Sequence, residues 1–61
     1  MTKATYYIEN SGRLDIALEM LKDKIPCFIK REYIEMDYSE VTIIARSEDF
    51  PTVEKFLGPH V

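Results

Sequence analysis

The segment VTIIAR, residues 41–46, carries the strongest strand signal in the sequence. Its β-branched side chains favour the pleated, half-buried surface of a sheet. The preceding stretch CFIKREYIEMDY, residues 27–38, also reads as a strand, and its mixed apolar phase predicts a bend or bulge near residues 30–32. Only Ser39-Glu40 separates the two segments as a turn, so they are predicted to form an antiparallel hairpin.

A first strand and a helix precede this hairpin. Residues 4–9 (ATYYIE) combine β-branched and aromatic types, and Asn10 or Ser11 offers a helix N-cap. From residue 13 to residue 25 the apolar side chains recur at helical spacing, which predicts an amphipathic helix. Two further apolar residues are expected to widen its buried stripe: Ile16 and Met20.

A second helix is predicted near the C-terminus. Ser47 or Asp49 can cap it, Pro51 suits its first turn, and Gly58 marks its end. The element order is then β-α-β-β-α, and a right-handed crossover places strand one beside strand three. The sequence therefore predicts one α+β domain over residues 1–61. Its three-stranded antiparallel sheet has the order 1-3-2 with two helices on one face, a truncated ferredoxin-like fold.

Composition and charge exclude several functional classes. The 61 residues are 46% hydrophobic and 31% charged, which excludes a disordered tail or a fibrous repeat. The net charge of −3 disfavours binding to the phosphates of nucleic acids. The single cysteine, Cys27, excludes an internal disulfide and fits a reducing compartment. Without a signal peptide or an apolar run of membrane-spanning length, we expect a cytoplasmic protein with no membrane partner.

Alternation along the strands sorts the side chains onto two faces of the predicted sheet. The more apolar set is expected to meet the helices: Ala4, Tyr6, Ile8, Ile34, Met36, Val41, Ile43 and Ala45. The other set is expected to lie on an uncovered face: Thr5, Tyr7, Glu9, Tyr33, Glu35, Asp37, Thr42, Ile44 and Arg46. Aromatic and aliphatic side chains among charged neighbours are typical of protein interfaces, although a solvated face that tolerates aromatics fits the pattern as well.

Six residues form the predicted partner-binding surface: Tyr7, Tyr33, Glu35, Asp37, Tyr38 and Ile44. With Glu32 and Glu40, the acidic hairpin could dock on a basic surface of a larger protein, with charge steering the encounter. A hairpin kept from aggregating by its charges is the alternative. The uncovered face and the open edge of strand one also predict a homodimer, which would compete for the same residues.

Three features in series suggest a family. They are the passage from helix to strand at Ile25-Pro26-Cys27-Phe28, the apolar strand Val41–Ile44, and the acid-led final helix Glu48–Leu57. In this order the segment Leu14–Leu57 resembles small prokaryotic signal-transducing domains with a truncated ferredoxin-like fold. The resemblance implies regulation through binding, and it carries no catalytic residue across.

Three functions are compatible with the chain. The favoured one is a non-catalytic acidic module that regulates or inhibits a larger protein, as phage- or antitoxin-type modifiers do. The second is a homodimer that senses a small ligand held between its subunits. The third is a minimal enzyme using Cys27, whose pKa Lys24 and Lys30 could lower, or His60 near the C-terminus. No catalytic, cofactor-binding or metal-binding residue is assigned.

Overall fold

In a computed structural model of the protein, the elements follow in the predicted order β-α-β-β-α. They are β1 (Thr2–Glu9), α1 (Gly12–Lys24), β2 (Cys27–Tyr33), β3 (Tyr38–Ala45) and α2 (Phe50–Leu57). β3 lies in the centre of the sheet and pairs antiparallel with β1 on one side and with β2 on the other. The predicted α+β fold and its strand order 1-3-2 are confirmed.

A single small core lies between the sheet and the two helices, which contact each other on the same face. It contains ten buried side chains: Ile8, Leu14, Leu18, Leu21, Ile25, Val41, Ile43, Ala45, Val53 and Leu57. A domain of this size buries only about 60% of the surface of its unfolded chain, so each of these side chains matters to stability. Neither α1 nor α2 has the length and apolar character needed to traverse a lipid bilayer.

Helix α1 begins as predicted. The Ser11 hydroxyl accepts a hydrogen bond from the backbone N–H of Leu14 at 3.1 Å, which satisfies one of the free donors of the first turn. The expected wide stripe is wrong, because Ile16 and Met20 are 61% and 48% exposed. A narrower stripe packs on the sheet, and the chain has no further element to cover the outer side of α1.

Helix α2 follows a short 3-10 turn, Ser47–Asp49, and has Pro51 in its first turn as predicted. Asp49 occupies the N-cap position, but its side chain makes no capping hydrogen bond and instead pairs with Arg46 at 3.6 Å. The Ser47 hydroxyl bonds to Thr2 on β1. These side chains therefore tie the entry of α2 to the sheet rather than capping the helix.

Strand β2 is shorter than predicted, since it ends at Tyr33 and not at Tyr38. A turn follows it, in which the N–H of Tyr38 donates to the carbonyl of Glu35 at 3.4 Å. The expected connection Ser39-Glu40 is instead part of β3. The expected bulge is absent, because the pairing of β2 with β3 advances one residue at a time along the whole strand.

Tyr6 fastens β1 to α2. Its hydroxyl donates a hydrogen bond to Glu54 Oε1 at 3.1 Å, in addition to packing of its ring against the core. Burial, followed by this hydrogen bond and the carboxylate charge, raises the pKa of Tyr6 above its ordinary value of 10.0. The phenol therefore stays neutral and continues to donate at physiological pH.

Candidate protein-binding face

One side of the sheet is left uncovered by the chain, and we call it the open face. Strand register places its residues in cross-strand rows. From one end to the other, the rows are Lys3-Ile44-Phe28, Thr5-Thr42-Lys30, Tyr7-Glu40-Glu32 and Glu9-Tyr38. Both helices pack on the opposite side, so this face meets no other part of the molecule.

Large hydrophobic side chains stand out on the open face. Phe28 is 63% exposed, Tyr7 is 61% exposed and Tyr38 is 42% exposed, while Ile44 is half-buried between its neighbours. Single exposed hydrophobic residues are ordinary, but several on one flat surface mark a site of interaction. Aromatic rings contribute most to such surfaces because they bury a large area with few rotatable bonds.

Charge is segregated along the open face. The basic end contains the two lysines of the face and two apolar residues: Lys3, Phe28, Lys30 and Ile44. The acidic end contains three carboxylates and two tyrosines: Tyr7, Glu9, Glu32, Tyr38 and Glu40. Neither of the two ion pairs of the protein, Arg31–Asp15 and Arg46–Asp49, uses any of these charges. Both ends are therefore available to an external partner.

Three of the predicted partner-binding residues are on the open face, with Tyr7 and Tyr38 at its acidic end and Ile44 at its basic end. Tyr33 does not, because its pairing with Ser39 places it on the helix side at the edge of the sheet. There the Arg31 guanidinium carbon lies 4.8 Å from the centre of the Tyr33 ring. The assignment of Tyr33 to the uncovered face was wrong.

The other two predicted residues, Glu35 and Asp37, lie in the turn between β2 and β3, beyond the end of the open face. Ile34 and Met36 share this turn and are 43% and 93% exposed, so the prediction that they meet the helices was wrong. Arg46 follows the last residue of β3 and pairs with Asp49. The turn extends the acidic end of the open face by two carboxylates.

Sequence reasoning missed Phe28, Lys3 and Lys30. The predicted phase of β2 depends on the alternation of residues 34, 36 and 38, which belong to the turn and to β3. The usable signal lay earlier in the strand, where Ile29 packs against the core and its neighbours Phe28 and Lys30 point away from it. Lys3 lies outside the predicted first strand, because β1 begins at Thr2 and not at residue 4. The open face therefore has two basic residues that the sequence assignment lacked.

A phenol at the acidic end has a shifted pKa. Tyr7 lies opposite Glu40 in the β1–β3 ladder, and the hydrogen bond with that carboxylate, followed by its negative charge, raises the pKa of Tyr7. Tyr7 therefore remains a neutral phenol at physiological pH, with its ring exposed. Such a side chain presents an apolar surface with a polar tip, a combination that protein interfaces favour.

The helix side of β2 has a different character, because its polar groups bond to one another. The Arg31 guanidinium donates to Asp15 Oδ1 at 2.6 Å, to Asn10 Oδ1 at 2.9 Å and to the hydroxyl of Ser39 at 3.2 Å. Ser39 is fully buried, and its hydroxyl also bonds to Asn10. This network joins α1, β2, β3 and the loop after β1, so its role is structural.

An open groove of about 380 Å³ lies between α1 and β2 beside this network. Its lining comprises Asp15, Leu18, Glu19, Lys22, Ile29, Arg31 and Tyr33. Since the Arg31 guanidinium is held by three protein acceptors, Lys22 is the cation in the groove that is free to meet a ligand. No group of three or more histidine, cysteine, aspartate or glutamate side chains is arranged to hold a metal ion.

Cys27 begins β2 and is half-buried on the helix side of the sheet. Burial raises the pKa of its thiol, Lys22 opposes this effect, and Asp49 adds to it. The lysine that acts on the thiol is thus Lys22, whereas Lys24 and Lys30 had been expected from the sequence. A thiol with a raised pKa is mostly protonated at neutral pH and is a weak nucleophile.

We therefore expect Cys27 to react slowly with iodoacetamide. At neutral pH the alkylation rate of the folded protein should be several-fold below that of the urea-unfolded chain. The rate should still be rising at pH 9.0, which is the ordinary pKa of the thiol. Mass spectrometry of the alkylated protein over a pH series measures this. A rate that levels off below about pH 8.5 would contradict a raised pKa.

Comparison with models of protein families, with curated proteins and with solved structures finds no match to this chain.

Proposed function

We propose that the protein is a non-catalytic binding module that regulates or inhibits a larger protein by placing its open face on that protein's surface. The observation that carries the proposal is the exposure of three aromatic side chains, Tyr7, Phe28 and Tyr38, on one side of a sheet that nothing in the chain covers. The lone thiol of Cys27 supports a cytoplasmic setting for this activity, because free thiols persist in reducing compartments.

The aromatic side chains are the expected anchors of the complex. Truncating a well-packed aromatic residue at the centre of an interface typically costs about 2 kcal/mol or more of binding free energy. Tyr7 lies in a middle row of the open face, with neighbouring rows on both sides, whereas Phe28 lies in an end row. Tyr7 is therefore more completely enclosed than Phe28 when a partner covers the face.

The acidic end gives the interaction its direction. Glu9, Glu32 and Glu40 lie there without ion-pair partners, and Glu35 and Asp37 of the turn extend the same charge. A partner with basic residues beside an apolar patch would be attracted to this end, which raises the rate of encounter more than the final affinity. Association should consequently slow as salt concentration increases.

The proposal is tested by affinity capture from lysate of the source cells, followed by binding measurements with the purified captured protein. We expect Tyr7→Ala and Phe28→Ala each to weaken that binding by about thirtyfold, as loss of an anchor does. Ile16→Ala is the matched control, because Ile16 is a large hydrophobic residue with the same 61% exposure but lies on α1, away from the open face.

Circular dichroism of each variant must match that of the wild-type protein, so that lost binding is not lost folding. Undiminished binding by both Tyr7→Ala and Phe28→Ala would refute the open face as the site. If Ile16→Ala alone weakened binding, the outer side of α1 would be the interaction surface instead.

A second function is the sensing of a small ligand, and the groove between α1 and β2 supports it with a site inside one subunit rather than between two. The groove offers Lys22 and the Tyr33 ring to a small molecule, although the Arg31 guanidinium in its lining is occupied within the protein. A metabolite that raises the melting temperature of the wild-type protein but not that of Lys22→Met would favour this function.

A further inference from the structure

The charges of the open face are ordered along the strands in a way that makes the face complementary to itself. Lys3 lies in the first row and Glu9 in the last, both on β1. Lys30 and Glu32 occupy the two middle rows, both on β2. Turning the face end for end therefore exchanges a positive position for a negative one along each edge strand.

We propose that in the free protein a second copy of the chain covers the open face, with the two sheets face to face and their central strands antiparallel. This inference rests on the proposed function in treating the open face as an interaction surface. It adds the occupant of that face when the larger partner is absent, and it makes the partner a competitor of self-association.

The arrangement follows from a two-fold axis that lies midway between the two sheets and perpendicular to β3. Along the strand, the axis is level with the gap between Thr42 and Glu40. The axis brings the row of Lys3 against the row of Glu9 in the second copy, and the row of Lys30 against that of Glu32. Each contact occurs twice, as an isologous interface requires. Packed sheets keep their strand directions within about 30° of each other, so these rows remain neighbours after the twist of the sheets is allowed for.

The apolar side chains obey the same symmetry. Ile44 in the first row comes against Tyr38 in the last row of the second copy, which removes both from water. A two-fold axis along β3 would instead set Glu40 against Glu40 and leave two carboxylates facing each other in the centre. The charges thus select the antiparallel arrangement over the parallel one.

The area places the dimer among small protein interfaces. Three strands about 4.8 Å apart, two of eight residues and one of seven, form a face whose mutual covering removes on the order of 1,000 Å² from water, both copies counted. Specific protein interfaces bury at least about 1,000 Å² in total, and the smallest of them are transient. We therefore expect a dissociation constant in the micromolar range, which a larger partner with a larger interface can overcome.

Sedimentation equilibrium over a wide concentration range tests the dimer, using charge reversals at the middle rows. Lys30→Glu and Glu32→Lys should each weaken self-association at least about tenfold, because each replaces an attraction by a repulsion at two symmetric sites. The double variant with both changes exchanges the charges and should return the dissociation constant to that of the wild-type protein. Arg13→Glu, an exposed reversal on α1, is the control and should have no effect.

A protein that stays monomeric to about 1 mM would overturn the proposal, since that concentration corresponds to almost no useful affinity. The proposal would also be overturned if neither charge reversal changed the dissociation constant of the dimer, or if the double variant failed to restore it. Either result would require another interface. Both results leave capture of the larger partner and its loss in Tyr7→Ala unaffected, so failure of the dimer is distinguishable from failure of the proposed function.

Discussion

Replacing Ile43 by alanine should unfold a large part of the protein population, whereas the same change at the next residue should leave the protein folded. Ile43 is fully buried in the central strand, while Ile44 is half-buried on the open face. Removing a buried isoleucine side chain costs about 2–5 kcal/mol, because the lost contacts leave a cavity. A domain of 61 residues has only about 3–9 kcal/mol of stability in total.

Urea unfolding followed by circular dichroism measures both free energies of unfolding. For Ile44→Ala we expect a loss below about 1 kcal/mol, since part of that side chain is already in water. The two substitutions delete the same atoms one residue apart, so differences in chemistry cancel. Equal losses at the two positions would contradict the assignment of faces along β3 and, with it, the open face.

Alternation predicted the faces of β1 and β3 because each of these strands has one side in the core. In β3 the buried and less buried residues alternate without interruption, and the apolar side chains Val41, Ile43 and Ala45 follow the same period. In β3 the alternation of apolar residues in the sequence therefore matches the alternation of burial in the structure. The starts of the two helices could also be predicted from the sequence, since Ser11 caps α1 and Pro51 lies in the first turn of α2, and both act locally.

The end of β2 could not be predicted in the same way, because the burial of Ser39 depends on side chains outside its own turn of chain. Ser39 looks like a turn residue, yet it is fully buried in β3 with its hydroxyl bonded to Arg31 and Asn10. A buried hydroxyl needs hydrogen-bond partners, and Ser39 obtains them from Arg31 on β2 and from Asn10 in the loop after β1. Neither contact leaves a local sequence signal, and the turn was therefore placed too late.

The misplaced turn also altered the chemistry expected of the candidate site. Extending β2 to Tyr38 brings Tyr33, Glu35 and Asp37 onto the predicted uncovered face and leaves Lys30 out. The predicted start of β1 at residue 4 leaves Lys3 out as well, since β1 begins at Thr2. The predicted face then has Arg46 as its single basic residue among acidic ones, whereas register gives it a basic end with Lys3 and Lys30. Self-complementarity, on which the proposed dimer depends, becomes visible only with the correct register.

The polar network and the open face lie on opposite sides of the sheet, so stability and binding can be altered separately. Arg31 acts on the helix side, while its strand neighbours Lys30 and Glu32 belong to the open face. Alternate residues of β2 face opposite sides of the sheet. Substitutions at positions 30 and 32 should therefore affect dimerisation, whereas a substitution at position 31 should affect folding.

Arg31→Met is accordingly expected to lower the free energy of unfolding by about 2–4 kcal/mol, because it removes three hydrogen bonds and leaves Asn10 and the buried Ser39 short of partners. Methionine retains the apolar stem, so the loss reports on the guanidinium. The ion pair itself contributes little, since the Asp15 side chain is 63% exposed to solvent.

Arg31→Lys separates charge from geometry. An ammonium group keeps the positive charge beside Asp15 but cannot reach all three acceptors, which the planar guanidinium contacts through separate N–H groups. We therefore expect Arg31→Lys to recover only a minor part of the loss in urea unfolding, and that part to shrink at high salt as a screened surface charge does. Full recovery by lysine would show that charge alone holds β2 to α1, and that the hydrogen bonds to Asn10 and Ser39 are dispensable.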